Sequence, residues 1–338
     1  MNRSQLRSGA GICLGLGLLA AAALAAFSVG AYPVSLGELA RWALAFGGES
    51  GLPEATELVI EQIRGPRVLT AMLVGASLAA AGAAYQGLFR NPLVSPDILG
   101  VSSGAALGAV LGIFLSLPFL AIQGLAFIGG LGAVGIVYGI AAAMRGRDPI
   151  LILVLAGIVI GTLLGSGISL IKVLADPYNQ LPAITFWLLG SLSAVNRDDL
   201  LTVLPLTLIG LAPLALLHWR LNVMSFGEEE ARALGVDTTK VRLAVIAAAT
   251  LMTAAVVAIS GVVGWIGLVV PHLARLLVGP SFGRLLPTAT LFGAAFLLLV
   301  DTLARTLAPT EIPLGVLTAI VGAPIFIWLL ATSRRQWQ

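Results

Sequence analysis

Residues 64–105 read RGPRVLTAMLVGASLAAAGAAYQGLFRNPLVSPDILGVSSGA, and this stretch decides the fold. Residues 66–88 form an almost unbroken apolar run, and about 20 such residues cross a bilayer as one helix. The run breaks where Arg90, Pro92, Pro96 and Asp97 fall together, the next apolar run follows, and the stretch ends in a cluster of small residues, Ser102 to Ala105. A proline lacks a backbone N–H and clashes with the turn before it, so it ends one helix and is tolerated at the start of the next. Two apolar runs joined by such a turn predict a helical hairpin in a membrane.

The rest of the chain repeats the theme. Of 338 residues, 58% are hydrophobic and 10% charged, against about 25% charged in an average soluble domain. The mean hydropathy of +1.02 agrees. A water-soluble body of this size is excluded, because too little polar surface exists to cover it. Apolar runs separated by turn residues predict ten spans, near 10–31, 66–88, 93–115, 120–143, 149–172, 199–218, 241–259, 262–276, 286–308 and 314–332. The first is read as a span and not as a cleaved leader, since a signal core is only about 7–15 residues long. The eighth is short and broken by glycines. The expected fold is an all-α polytopic membrane protein forming one domain over 1–338. Small-residue helices that start on opposite sides, in 66–172 and 241–332, suggest inverted repeats, which build many transport proteins.

Lysine and arginine set the orientation. With the N-terminus inside, 13 of the 19 basic residues fall on the cytoplasmic side: Arg3, Arg7, Arg90, Arg145, Arg147, Arg220, Arg232, Lys240, Arg242, Arg275, Arg284, Arg334 and Arg335. Ten spans then put both termini in the cytoplasm. Arg41, Arg64, Arg67, Lys172, Arg197 and Arg305 lie outside, against the bias, and ask for a reason. Two outer segments, 32–67 and 178–199, are expected to carry short helices, and 218–242 is the longest inner one.

Motifs for catalysis are missing. Lys172 and Lys240 are the only lysines and neither follows a glycine, so the chain has no phosphate-binding loop of its own. His218 and His272 stand apart without a ligand cluster, and His272 is read as a structural histidine. Cys13 is a lone cysteine, which excludes an intramolecular disulfide. No cofactor is expected in this chain, and nothing suggests nucleic-acid binding. The chain reads as a conduit.

Two clusters still ask for a function. In "EEEARALG" (228–235), three acids open a short helix and favour its dipole, while Gly235 ends it. Its apolar side includes Ala231 and Leu234. A short capped helix between two spans is a natural docking knob. Asp301 and Arg305 lie four apart on one helix face, acid first, the better order for pairing. They form either a structural ion pair, or a support that holds Arg305 ready for an external acidic partner. Arg64 and Arg67 would complete the same basic rim.

At 64–105 and 227–326 the sequence resembles the permease family of binding-protein-dependent importers for ferric siderophores, haem and vitamin B12, the type II or FecCD-type ABC importers. The matching words are the opening stretch, "GEEEARALGV", "SGVVGWIGLVVPHLARLLVGP" and "EIPLGVLTAIVGAPIFIWLL". The resemblance implies ten spans, a homodimer, two ATPase subunits carrying ATP and Mg, and a substrate-binding protein docked outside a prokaryotic inner membrane. It implies an ATPase-coupling helix at Gly227, Glu228, Glu229, Glu230, Ala231, Arg232, Ala233, Leu234 and Gly235. It assigns docking to Arg64, Arg67 and Arg305, and an inner gate to Asn91, Pro92, Leu93, Ile150 and Leu151, the last two apolar where the family often has small polar residues. Residues 149–172 would line the pathway. The cargo implied is an iron chelate, haem or corrinoid, with an oxyanion such as molybdate as the alternative. A secondary transporter in one chain is the rival class. It needs acidic ion sites in mid-span, and no acidic residue lies near the middle of any predicted span.

Overall fold

Helix α4 (Gly65–Leu88) fixes the architecture, because it buries residues all around its circumference. The computed structural model describes residues 3–45, 50–144 and 148–333. Ahead of α4 come α1 (Arg3–Ser28), α2 (Leu36–Leu44) and α3 (Glu54–Leu58), and α3 runs into α4 through a wider π-helical turn, Val59–Arg64. After it come α5 (Val101–Phe114), α6 (Phe119–Ala143), α7 (Pro149–Leu174) and α8 (Gln180–Leu189). The chain continues through α9 (Arg197–Leu216), α10 (His218–Met224), α11 (Glu228–Ala233) and α12 (Thr238–Ser260). It ends with α13 (Ile266–Val278), α14 (Phe282–Thr306) and α15 (Leu314–Ser333). Among the described residues there is no strand.

Among the described residues, eight helical stretches are long and apolar enough to cross a membrane: α1, α3–α4, α6, α7, α9, α12, α14 and α15. The two remaining predicted spans are shorter. Helix α5 has 14 residues and α13 has 13, each about 20 Å long and less than the roughly 30 Å of the hydrocarbon core. The third span therefore does not start at residue 93. Pro92 and Pro96 forbid regular helix there, Pro96–Leu99 makes one 3-10 turn, and Gly100 takes a left-handed conformation (φ 81°) before α5 begins. The segments 32–67 and 178–199 carry the short helices expected of them. Helix α2 starts on a reciprocal cap in which Ser35 Oγ accepts from Glu38 N and Glu38 accepts from Ser35 N.

Helices α4, α12 and α14 form the centre, with 78%, 78% and 67% of their span residues buried, against 22–28% for the other five long spans. A helix that is apolar all round belongs inside. Small residues make this packing close. A Cβ on Gly82 would stand 1.9 Å from the carbonyl oxygen of Gly267 in α13, and one on Gly75 would stand 2.1 Å from that of Gly293 in α14. Backbones in contact gain dispersion energy that larger side chains would block. Two polar pairs lie inside: Tyr85 Oη is 3.3 Å from Thr250 Oγ1, and Gln123 Nε2 donates to Asp199 Oδ1 at 2.8 Å. His272 is buried at the α13 core, as a structural histidine should be. Of the basic residues counted for orientation, Arg145, Arg147, Arg334 and Arg335 lie outside the described residues, as do the side chains of Arg3 and Arg7.

Candidate functional sites at the two ends of α4

Helix α4 has 24 residues and is about 36 Å long, and one candidate site lies at each of its ends. Arg67 sits in its first turn. The turn carrying Arg90 follows its last.

At the Arg90 end, α11 is a single short helix between two glycines with positive φ, Gly227 (136°) and Gly235 (81°). Ala231 is fully buried in the main apolar core, so the helix is seated and does not hang as a loop. Leu234, expected on the same buried side, is 62% exposed. The reason is that α11 ends at Ala233 and the chain turns away there. Glu229 and Glu230 face solvent. Glu228 turns inward instead, pairing with Arg242 of α12 and with Arg232 Nη2 at 3.3 Å. Arg232 Nε in turn donates to Thr238 Oγ1 at 3.2 Å. Asp237 caps α12, and the backbone N–H of Lys240 holds its carboxyl below the usual carboxylate range.

The predicted gate residues lie beside this helix. Asn91 Oδ1 accepts from Leu93 N at 2.9 Å, a local turn that leaves Leu93 50% exposed. Asp148 caps α7 by accepting from Ile150 N at 2.9 Å, and Leu151 is exposed. A groove of about 420 Å³ runs between these turns and α11, lined by Arg90, Asp148, Pro149 and Ile150 together with Phe226, residues 227–230 and Arg232. So the structure brings Ile150 to the 227–232 segment. Asn91, Pro92, Leu93 and Leu151 do not line the groove. Arg90 (φ 49°) was read only as a turn and orientation residue, and Asp148 and Phe226 were not singled out, because nothing local distinguishes them from ordinary loop residues.

At the Arg67 end, Arg64, Arg67 and Arg305 are drawn into the bundle. Arg64 and Arg67 are only 5% and 9% exposed. Arg67 Nη2 and Nε donate to Asp301 Oδ1 at 2.9 and 3.0 Å, and Nη1 and Nη2 donate to Glu311 at 2.8 and 2.9 Å. Asp301 has no exposed surface, and a carboxylate so buried demands a cation. Arg305 Nε does lie 3.3 Å from Asp301 Oδ2, so the pair read from i,i+4 spacing exists. It is the weaker of two, since Arg67 holds Asp301 by two donors. Arg305 Nη2 donates to the carbonyl of Ala26 at 3.1 Å. Arg64 donates to the carbonyls of Phe27 and Tyr32. The last carbonyls of α1 have no helical partner, and two guanidinium groups satisfy them and oppose the dipole. Glu311, absent from the sequence-based site, is the half-exposed member, and hydrogen bonds from Arg67 hold its carboxyl below the usual range.

Among the described residues no group of three or more His, Cys, Asp or Glu side chains is placed to hold a metal. The arrangement offers a seated helix beside a groove at one end and a charge network at the other.

Comparison with known proteins agrees over almost the whole chain. Residues 18–332 match the model of the FecCD transport family. A molybdate import permease of Haemophilus influenzae is 40% identical over 94% of this chain and 94% of its own. A cobalamin import permease of Halobacterium salinarum is 43% identical over 83% of this chain and 75% of its own. A hemin transport permease of Yersinia pestis is 42% identical over 81% and 83%. A solved structure described as a metal-chelate type ABC transporter, in an inward-facing conformation, superposes with a TM-score of 0.86. It is 38% identical and covers 95% of this chain and 98% of that one.

Proposed function

The chain belongs to the FecCD transport family, a multi-pass protein of the prokaryotic inner membrane, and from that premise we propose that it is the permease subunit of an ATP-driven importer. ATP and Mg would sit on a separate ATPase chain, since this one has no phosphate-binding loop. A second copy of the chain would complete the pathway, with two ATPase subunits on the α11 side and a substrate-binding protein on the Arg67 side. The exposed apolar residues of α7, among them Leu155, Val159, Leu163 and Leu170, suit a pathway or subunit face. The segments 66–172 and 241–332 are read as inverted repeats, and both termini as cytoplasmic.

The observation that carries this reading is the seat of α11. Its acids Glu229 and Glu230 face solvent, its Ala231 is locked in the core, and its groove is shared with the turn before α7. A partner that grips α11 would therefore also touch the gate. ATP-driven closure of the ATPases would move α11, and the two permease subunits would rock between outward and inward access. Selectivity would reside in the binding protein. The test is whether an ATPase co-purifies with the chain and is lost on the double substitution Glu229→Lys, Glu230→Lys.

The proposed cargo is an iron chelate, haem or corrinoid, as the names of the cobalamin and hemin relatives and of the metal-chelate type transporter suggest. A second reading, molybdate or another oxyanion, is supported by the relative matched over 94% of both chains. Docking of the binding protein is assigned to Arg64, Arg67 and Arg305, with Glu311 now added as the internal partner of Arg67.

A further inference from the structure

We propose that Glu228, alone of the three adjacent acids, is a positioning residue that locks α11 to α12, so that movement imposed on α11 reaches the gate turn without slack. The inference rests on the importer reading above and assigns a role within it.

The argument starts from what holds α11. It has only six residues and is flanked by Gly227 and Gly235, both at positive φ. Glycine moves freely between backbone regions, so a helix strung between two of them would be a loose joint. Two side-chain links remove that freedom. The Glu228 carboxylate bridges Arg242 and Arg232, and Arg232 Nε reaches Thr238 at the start of α12. The Arg242 side chain is only 7% exposed, against 20% for Glu228. A buried guanidinium that loses its carboxylate is left uncompensated, so the pair is held together wherever either helix moves. Glu229 and Glu230 make no such inward turn. They stay on the solvent side, free for a partner.

What α12 touches makes the lock useful. It packs on α4, α5, α6 and α9. Val241 and Val245 of α12 share one apolar core with Ala231 of α11, Leu153 of α7, and Val94 and Leu99 of the gate turn. Close-packed interiors transmit displacement because they cannot be compressed. With the ionic lock closed, α11, α12 and the gate turn are one body.

The experiment reads the gate directly and needs no cargo. In a Cys13→Ser background, Leu93→Cys is alkylated by a fluorescent maleimide in proteoliposomes holding the chain and the ATPase that co-purifies with it. The reaction is timed without nucleotide and with ATP and vanadate. The wild-type background is expected to change rate about tenfold between the two states, the scale of ordinary coupling between sites. Glu228→Gln should keep the ATPase bound yet make the rate independent of nucleotide, while Lys240→Gln, which breaks only the exposed pair with Asp237, keeps the response. Glu228→Gln with Arg242→Met removes the stranded cation, so it should recover the thermal stability of the wild type and still not respond. A normal response in Glu228→Gln, loss of the ATPase from it, or a restored response in the double variant would each overturn the proposal. If no ATPase binds the wild-type chain, the importer reading itself fails. If it binds and the wild-type gate does not respond, the gate assignment fails and the lock with it.

Discussion

Arg67 and Asp301 stand 234 positions apart and meet in a 2.9 Å ion pair that ties α4 to α14 inside the bundle. Breaking one side of a buried pair leaves an uncompensated charge and costs about 3–5 kcal/mol, whereas replacing both by apolar residues is often neutral. Asp301→Asn should therefore lower the thermal midpoint in detergent sharply. Arg67→Met with Asp301→Leu should lower it much less. Equal losses would mean that the pair is not the stabilising contact.

Glu311 gives this network a pH dependence. Hydrogen bonds from Arg67 depress its pKa, as do the charges of Arg67 and Arg305. Its contribution is thus fully present above the ordinary glutamate value, about 4.3, and is lost as pH falls through the lower folded value. Between pH 5 and pH 3 the wild type should lose more thermal stability than Glu311→Gln. Parallel acid limbs would show that Glu311 does not titrate with folding.

The same residue should set docking strength if the arginines receive acidic groups of a binding protein. Glu311 occupies two of the Arg67 donors. Glu311→Gln would release them, and binding-protein affinity should rise by about fivefold at low salt, the worth of a partly exposed ion pair. Weaker docking would mean that Glu311 itself contacts the partner.

Close backbone contact makes Gly82 intolerant. Gly82→Ala drives a methyl group into the Gly267 carbonyl and should cost about 1–3 kcal/mol or more. Gly132 in α6 has open space around it, so Gly132→Ala should stabilise by about 0.5–1 kcal/mol. Thermal unfolding of the two variants checks both signs.

The ATPase-facing acids should behave as surface charges. Glu229→Lys with Glu230→Lys should remove most of the bound ATPase in a pull-down and leave the thermal midpoint within about 0.5 kcal/mol of wild type. Deleting 228–235 outright is a poorer test. It would take Ala231 from the core and strand Arg242.

Local pattern carried much of this into the sequence. The apolar run over 66–88, the prolines after it and the capped helix at 228–233 all depend on neighbours within a few residues, and each was legible. So was the Asp301–Arg305 pair, a matter of helix spacing. The Arg67–Asp301 and Glu228–Arg242 pairs were not, because they join separate helices and no local signal marks them. The inward partners of the three arginines were hidden for that reason. Arg64 and Arg305 turn inward to the carbonyls at the end of α1, and only packing reveals those carbonyls as near. The late start of α5 was missed because Val94 and Ile98 kept the hydrophobicity high while Pro96 and Gly100 had already broken the helix. The groove joining Arg90, Asp148 and Phe226 to α11 is likewise a product of folding.

The most direct test of the importer reading is uptake by proteoliposomes holding the chain, its co-purifying ATPase and the cognate binding protein. The cargoes offered are ferric siderophore, haemin, cyanocobalamin and molybdate. Accumulation of one of them that needs ATP and both partners is the predicted result. Accumulation by the chain alone, driven by an ion gradient without ATP, would contradict it.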